Sequence, residues 1–304
     1  MNKTKLTLKD VAEQLGVSTA TISNAFNRPD QLSKSKREEI LAQCKKIGYS
    51  GPNKAAQILR KGTSNIVALV LADSITDVLD FVDGFICYGQ PRNVNLIKEL
   101  AASPKPVVTV DFDIDNKPSI NIDNEDAAYR VASHALNKGD SVAILGLRLI
   151  DSPATCRIYD SPLIDVETSI AHRRLDGYIR AAEDKGITVS NEAIWHLPES
   201  DRHFARQAAK EVLTSSPRPN VVLCMSDIIA LELLHMALEM GIQVPDELRI
   251  TGFDGIEEAE RARPRLTTVC QSSSQKGVEA AKSLIEHVTS KSTLPFEVRL
   301  GETV

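Results

Sequence analysis

Residues 6–62 read LTLKDVAEQLGVSTATISNAFNRPDQLSKSKREEILAQCKKIGYSGPNKAAQILRKG, and the architecture follows from them. Thr7, with Asp10 three positions on, is a capping-box-like start. Behind it Leu8, Val11, Ala12 and Leu15 recur at helical spacing and predict a helix of about two turns. Gly16 ends that helix, because a residue tolerant of positive φ makes the corner cheaply. Val17 plugs the turn, and Ser18 caps a second helix running through Thr21, Ile22, Ala25 and Phe26. Ser33 or Ser35 caps a third, with Ile40, Leu41 and Ile47 as its buried face and Gly48 as its stop. Two short helices joined by a tight glycine turn and braced by a third match the helix–turn–helix arrangement.

In that arrangement the second helix lies in the major groove of a duplex, its N-terminal residues facing base edges. Ile22 and Phe26 point inward, which leaves Thr19, Ala20, Ser23 and Asn24 to look outward. Ser18, Thr21 and Asn27 suit phosphates, through hydroxyl or amide groups and the helix N-terminus. In the plainer alternative Ser18 merely caps and Asn24 merely meets solvent. Asn53–Arg60 has helical composition but is too short to be stable alone, and reads as a segment that folds on contact with a partner. Its Ala face permits close approach, and Leu59 could wedge between base steps in the minor groove. Alternatively it is a linker with one leucine tucked away. Charge suggests a polyanion partner, the plainer alternative being a solvated basic surface, and patterning decides between them. Residues 1–64 carry twelve Lys and Arg against five Asp and Glu, a net +7, which leaves −12 on residues 65–304.

These residues carry a resemblance. The run KDVAxxxGVSxATxS followed by a GYxPNxAAxxL-like hinge resembles the DNA-binding head and hinge of the LacI/GalR family of bacterial transcriptional regulators. The resemblance implies a homodimer on a pseudo-palindromic, double-stranded operator, with paired hinge helices inserting leucines at the central minor-groove step. Leu59 is then the wedge and Ala56 the close-packing residue; Thr7, Tyr49, Asn53 and Ala55 complete the expected DNA-facing set. One departure matters: members often carry arginine where this chain has Asn24, and Asn prefers adenine to guanine.

Beyond residue 65 the chain alternates β-rich apolar runs (Ile66–Leu71, Gly84–Tyr88, Pro106–Val110, Val142–Leu145, Val221–Cys224, Arg249–Phe253) with helical segments. Those segments are Val94–Ala102, Glu125–Lys138, Ile170–Lys185, Ala205–Ser215, Ile228–Met240 and Gln275–Ser290. The pattern argues for an α/β fold with parallel sheets. The runs RRLDGY, SDIIAL, GFDG and RLTTVCQ resemble the same family's two-subdomain, periplasmic-binding-protein-like body. The expected organisation is a head at 1–51, a hinge helix and linker at 52–64, and an effector-binding and dimerisation domain at 65–304. Within that domain, one subdomain spans about 65–121 plus 272–291 and the other about 122–271 plus 292–304. After Asp73 the family has a helix and a second strand for which this chain has too few residues, a loss expected to expose apolar sheet surface.

Ligands of such folds bind at the C-terminal ends of strands. Asp111 and Asp254 follow strands and can accept hydroxyl hydrogen bonds; Arg174 opens RLDGY with a forked donor. Ser226 and Asp227 follow another strand, and Gln271 sits in a crossing segment. In each case a structural role competes: Asp254 before Gly255 could shape a turn, and Arg174 could pair with Asp176 or Glu167. Trp195 reads as core at a strand edge. The favoured effector is a sugar or sugar phosphate. A purine or nucleoside co-repressor is the alternative, and a solute-binding protein without DNA a remote one. Five scattered cysteines without C-x-x-C, no export-type N-terminus and apolar runs too short for a membrane span point to the cytoplasm. No catalytic motif, metal cluster or cofactor fingerprint is seen, so an enzyme is not expected.

Overall fold

A computed structural model describes residues 6–49, 51, 64, 66–71, 82–164 and 169–304. The hinge positions Asn53, Ala55, Ala56 and Leu59 lie outside this set, as does the short connection at 72–81. The chain divides into two compact units, Met1–Ile66 and Val67–Val304.

In the first unit, α1 (Leu8–Leu15) starts on a reciprocal capping box between Thr7 and Asp10 and ends at Gly16, left-handed with φ 64°. Ser18 caps α2 (Thr19–Asn27) by accepting from the Thr21 amide at 3.0 Å. Of the two candidate caps for α3 (Lys34–Lys46), Ser33 is the one used. Val11, Ala12, Ile22, Ala25, Ile40 and Cys44 form the small core, and Arg37 Nε donates to the Ala25 carbonyl at 2.9 Å, pinning α3 to α2. Leu41 and Ile47, expected in that face, are half-buried at its rim.

The second unit holds two sheets. The first is built from β1 (Val67–Leu71), β2 (Gly84–Tyr88), β3 (Val107–Val110), β4 (Ser119–Ile122) and β11 (Ser292–Leu294), all parallel and in that order. It carries α4 (Val94–Ala102) and α10 (Ser273–Ile285). The second, in the order β12-β10-β9-β8-β5-β7-β6, joins β5 (Val142–Leu147), β6 (Cys156–Arg157), β7 (Ile194–Leu197), β8 (Val221–Cys224), β9 (Arg249–Asp254), β10 (Thr267–Gln271) and β12 (Phe296–Arg299). Its strands are parallel apart from the antiparallel β12 and β6. Around this sheet lie α5 (Asn124–Ala135), α6 (Ile170–Asp184), α7 (Arg202–Thr214), α8 (Asp227–Glu239) and the short α9 (Glu257–Arg261). Trp195 is core, with Nε1 donating to Glu211 at 2.9 Å.

The chain crosses between the sheets at Asp123, Ser272 and Pro295. The last crossing corrects the expected boundary, because Ser292–Leu294 pairs with β4 in the first sheet and the second sheet resumes at Phe296. α10 is also displaced from the expected 275–290. It starts at Ser273 and stops at Ile285, where His287 takes φ 54° and turns the chain. Val67, Leu69 and Leu71 of β1 are about half exposed while Ala68 and Val70 are buried, so this edge strand carries exposed apolar surface on one face.

α5 and α6 are in intimate contact through alanines and Gly177, the glycine of the RRLDGY run. A Cβ built on Gly177 would fall 2.2 Å from the Glu125 carbonyl oxygen and 2.9 Å from the Ala128 Cβ. Gly177→Ala is therefore expected to force the helices apart and destabilise the second unit by about 2 kcal/mol, read as a lower midpoint in urea denaturation.

Candidate functional site

Most of the described residues expected to face DNA lie on α2. Burial of Ile22 and Ala25 leaves Thr19, Ala20 and Asn27 exposed, with Thr21, Ser23 and Asn24 half-buried beside them. Ser18 Oγ lies 2.8 Å from Thr21 Oγ1, and Asn27 Nδ2 donates to Ser23 Oγ at 3.4 Å. Thr7 is committed to its capping box. Tyr49, from the expected DNA-facing set, is buried: its ring meets Phe26 edge-on at 5.8 Å and packs the head. Burial pushes its phenol up.

In the second unit the C-terminal ends of strands from both sheets converge on one cleft. Asp111, which follows β3 with φ 59°, and Asp254, which ends β9 with φ 123°, both hold backbone conformations rare for residues with a side chain. Strain of this kind persists where surrounding contacts impose it. At Asp254 those contacts come from Asp227. Its fully buried carboxylate accepts from the amides of Gly255 at 2.7 Å and Ile256 at 2.9 Å, and from Thr268 Oγ1 at 2.5 Å. Asp227 thus builds the turn that carries Asp254. Ser226 is likewise buried, capping α8 through the Ile228 amide and lying 2.6 Å from Ser200 Oγ.

Arg174 rises from α6 with its side chain almost covered. Nε donates to Asn124 Oδ1 at 3.0 Å, Nη1 donates to the Met225 carbonyl at 2.7 Å, and the guanidinium lies over the Phe253 ring at 3.7 Å. Its acidic neighbour is Asp254, at 3.8 Å. Burial pushes the Asp254 carboxyl up to about 6, against the pull of Arg174 and with repulsion from Asp227 and Asp111. Gln271 Nε2 donates to Asp254 Oδ1 at 2.7 Å. Asp254, Gln271 and Tyr88 line a cavity of about 690 Å³. Around the mouth the two subdomains are tied directly. Arg92 reaches the Pro198 carbonyl at 2.7 Å and Glu199 at 2.8 Å, Arg148 donates to the Gln90 carbonyl at 2.7 Å, and Arg173 pairs with Asp113.

Comparison with known proteins fits this geometry. The family described as bacterial regulatory proteins, lacI family, matches residues 7–53, and a periplasmic binding protein-like domain matches 158–304. An HTH-type transcriptional regulator of Mycobacterium tuberculosis is 30% identical, covering 93% of this chain and 91% of that protein. This chain belongs to the LacI family. It is a DNA-binding transcriptional regulator, not an enzyme. The regulator IpsA of Corynebacterium glutamicum is 27% identical over 97% of this chain and 94% of its own. The fold is shared by a LacI-family regulator of Silicibacter pomeroyi, with TM-score 0.72 at 20% identity, covering 98% of this chain and 99% of that one. The alignment with the Mycobacterium regulator spans 336 positions against 304 residues here, so that relative carries residues this LacI-family member lacks. Among the described residues, no helix is long and apolar enough to cross a membrane and no His, Cys, Asp and Glu cluster could hold a metal ion.

Two cleft residues of this LacI-family chain escaped sequence reading. Tyr88 ends β2 with its ring partly exposed at the cleft, and its packed side together with Asp111 and Asp254 nearby pushes its phenol up; its place at a strand end was the available signal. Lys276 is 1% exposed on the face of α10 that also buries Ala280 and Leu284. A lysine in that i, i+4, i+8 series was the sign of a buried charge. A third residue shapes the mouth. His196 accepts from the amides of Leu149 at 3.1 Å and Ile150 at 3.3 Å through Nδ1, with Nε2 3.0 Å from the Ser152 carbonyl. This ring is neutral, and burial lowers its proton affinity from the ordinary 6.5. The unfolded chain then takes up this proton before the folded one does, so His196 contributes stability at neutral pH that is lost on acidification below 6.5. His196→Ala is expected to be less stable at neutral pH and to show a shallower decline below pH 6.5, measured by thermal melts across pH.

Proposed function

We propose that this LacI-family member is a repressor that binds a pseudo-palindromic operator as a homodimer and is switched by a hydroxyl-rich, sugar-like effector in the cleft. The observation that carries this reading is the pair of strand-end carboxylates, Asp111 and Asp254, with the Arg174 fork beside the second. Carboxylates take paired hydroxyl donors, and a guanidinium orients the ring oxygens between them. Gln271 completes the contact set from the crossing segment, while Ser226 and Asp227 support it from beneath. Similarity of fold to the CelR–cellobiose complex, with TM-score 0.65 at 21% identity, is in keeping with a sugar in such a cleft.

On the DNA side, Thr19, Ala20, Ser23 and Asn24 of each α2 face base edges in two successive major grooves, and Ser18, Thr21 and Asn27 face phosphates. Leu59, carried by the hinge, wedges the central minor-groove step. An effector that alters the angle between the subdomains alters the separation of the two hinges, and operator affinity follows.

A thermal-shift screen of sugars, sugar phosphates and nucleosides tests the cleft. A ligand held there raises the melting temperature by mass action, about 2.7 kcal/mol at a hundredfold excess over Kd. Arg174→Ala and Asp254→Ala are expected to weaken that ligand on the order of tenfold or more while leaving operator binding intact. Normal responses in both variants would place the site elsewhere, and a response to nucleosides alone would replace the sugar. On an operator selected from genomic fragments, Leu59→Ala is expected to lower affinity and DNA bending together, measured by gel shift on permuted fragments.

A further inference from the structure

We infer that Lys276 is a positioning residue: it fixes the direction of the hydrogen-bond chain across the cleft, so that Asp254 meets the effector as an acceptor and the cleft takes uncharged, hydrogen-bond-donating ligands in preference to anions. This rests on the cleft reading given above. The chain begins at the Lys276 ammonium, buried in α10, which donates to Asp111 Oδ1 at 2.5 Å and to Gln271 Oε1. An ammonium has three donors and no acceptor, so the carbonyl end of the Gln271 amide must face it. The NH₂ end is thereby turned the other way, onto Asp254 Oδ1 at 2.7 Å. An amide without that constraint could present either end; here its polarity is set by a charge that can only donate. Asp254 is held as an acceptor, and a ligand lying against it must supply the hydrogen.

The charges lead to the same ligand class. Lys276 is engaged by Asp111, and Arg174 by the nearby Asp254. An arriving phosphate or carboxylate competes with one of those partly buried carboxylates and leaves it without its cation in a site already rich in acids, which is costly. A hydroxyl donates to the same carboxylates and leaves both pairs whole. The groups facing Asp254 are Arg174 from α6, Asp227 from α8, Gln271 from β10, Asp111 beyond β3, Tyr88 at the end of β2 and Lys276 from α10. With its midpoint pushed up to about 6, the Asp254 carboxyl reports the loss of one donor within an accessible pH range.

The test follows the Asp254 carboxyl by aspartate ¹³Cγ NMR across pH in the full chain without ligand, the signal being assigned by its loss in Asp254→Asn. Lys276→Met removes the ammonium. Gln271→Leu removes the amide and leaves the Lys276–Asp111 pair in place. Both are expected to raise the Asp254 midpoint by about 1–2 pH units, the equivalent of one charge-assisted hydrogen bond. An unchanged midpoint in Gln271→Leu overturns the relay whether or not Lys276→Met folds. A rise in Lys276→Met alone also overturns it, because the lysine would then act through space and not through the amide. The ligand class is read from matched probes, D-galactose with its 1-phosphate and adenosine with its 5′-monophosphate; a larger thermal shift from a phosphorylated member overturns the preference. A panel without any hit counts against the cleft reading, whereas the ligand-free titration still decides the role of Lys276.

Discussion

Single-residue crossings at Asp123, Ser272 and Pro295 join the two sheets and leave the space between them open. The main strands of each sheet are parallel, so their C-terminal ends, with the loops that follow, gather at one edge. Facing those edges toward each other concentrates strand-end residues in one place: Tyr88, Asp111, Arg148, Pro198, Ser226 and Asp254 all stand there. Such ends are poor in apolar side chains, and the cleft is consequently filled with charge. Partial burial makes unpaired charge costly, so each group finds a partner across or along the crossing. Arg92 with Glu199, Arg173 with Asp113, and Lys276 with Asp111 are products of that constraint.

The same economy explains why some acids in the cleft are structural and others remain available. Asp227 is satisfied by two backbone amides and a hydroxyl, which turns it into scaffold for a strained turn. Asp254, at the end of that turn, keeps a high proton affinity because burial and two neighbouring carboxylates outweigh Arg174. Pairs of titratable groups in unlike surroundings, one fixed and one poised, are a mark of sites that handle ligands. The head works on a smaller scale. Its core is a handful of side chains, so helix caps, the Gly16 corner and the Arg37–Ala25 tie supply a large share of its definition.

Much of the fold was legible in sequence. All three head helices, with the Thr7 and Ser18 caps, follow from spacing and cap chemistry that reach across three or four residues. The strand runs Gly84–Tyr88 and Val221–Cys224 were continuous apolar β-formers and are strands with those bounds. Less visible were β4, β7 and β10, because each mixes polar residues into a short run: Ser119 and Asn121, His196, and the threonines at 267 and 268. All of these are buried in the structure. Their polarity is satisfied largely by partners elsewhere in the chain, such as Asp113 for Ser119 and the Gly301 amide for the Thr267 hydroxyl, and a local pattern carries no trace of those.

The sequence by itself determined the helix–turn–helix head, the alternating α/β body and the polar strand ends at Asp111 and Asp254, since capping, periodicity and strand termini are local properties of the chain. Tertiary structure alone decided which of those polar groups are spent on the scaffold. It sank Ser226 and Asp227 into backbone-organising roles, moved Tyr49 into the core, and joined Lys276 to Asp111 across 165 positions of sequence. The physical reason is that a charge acts on whatever the fold brings within a few ångströms of it, and chain distance does not enter Coulomb's law.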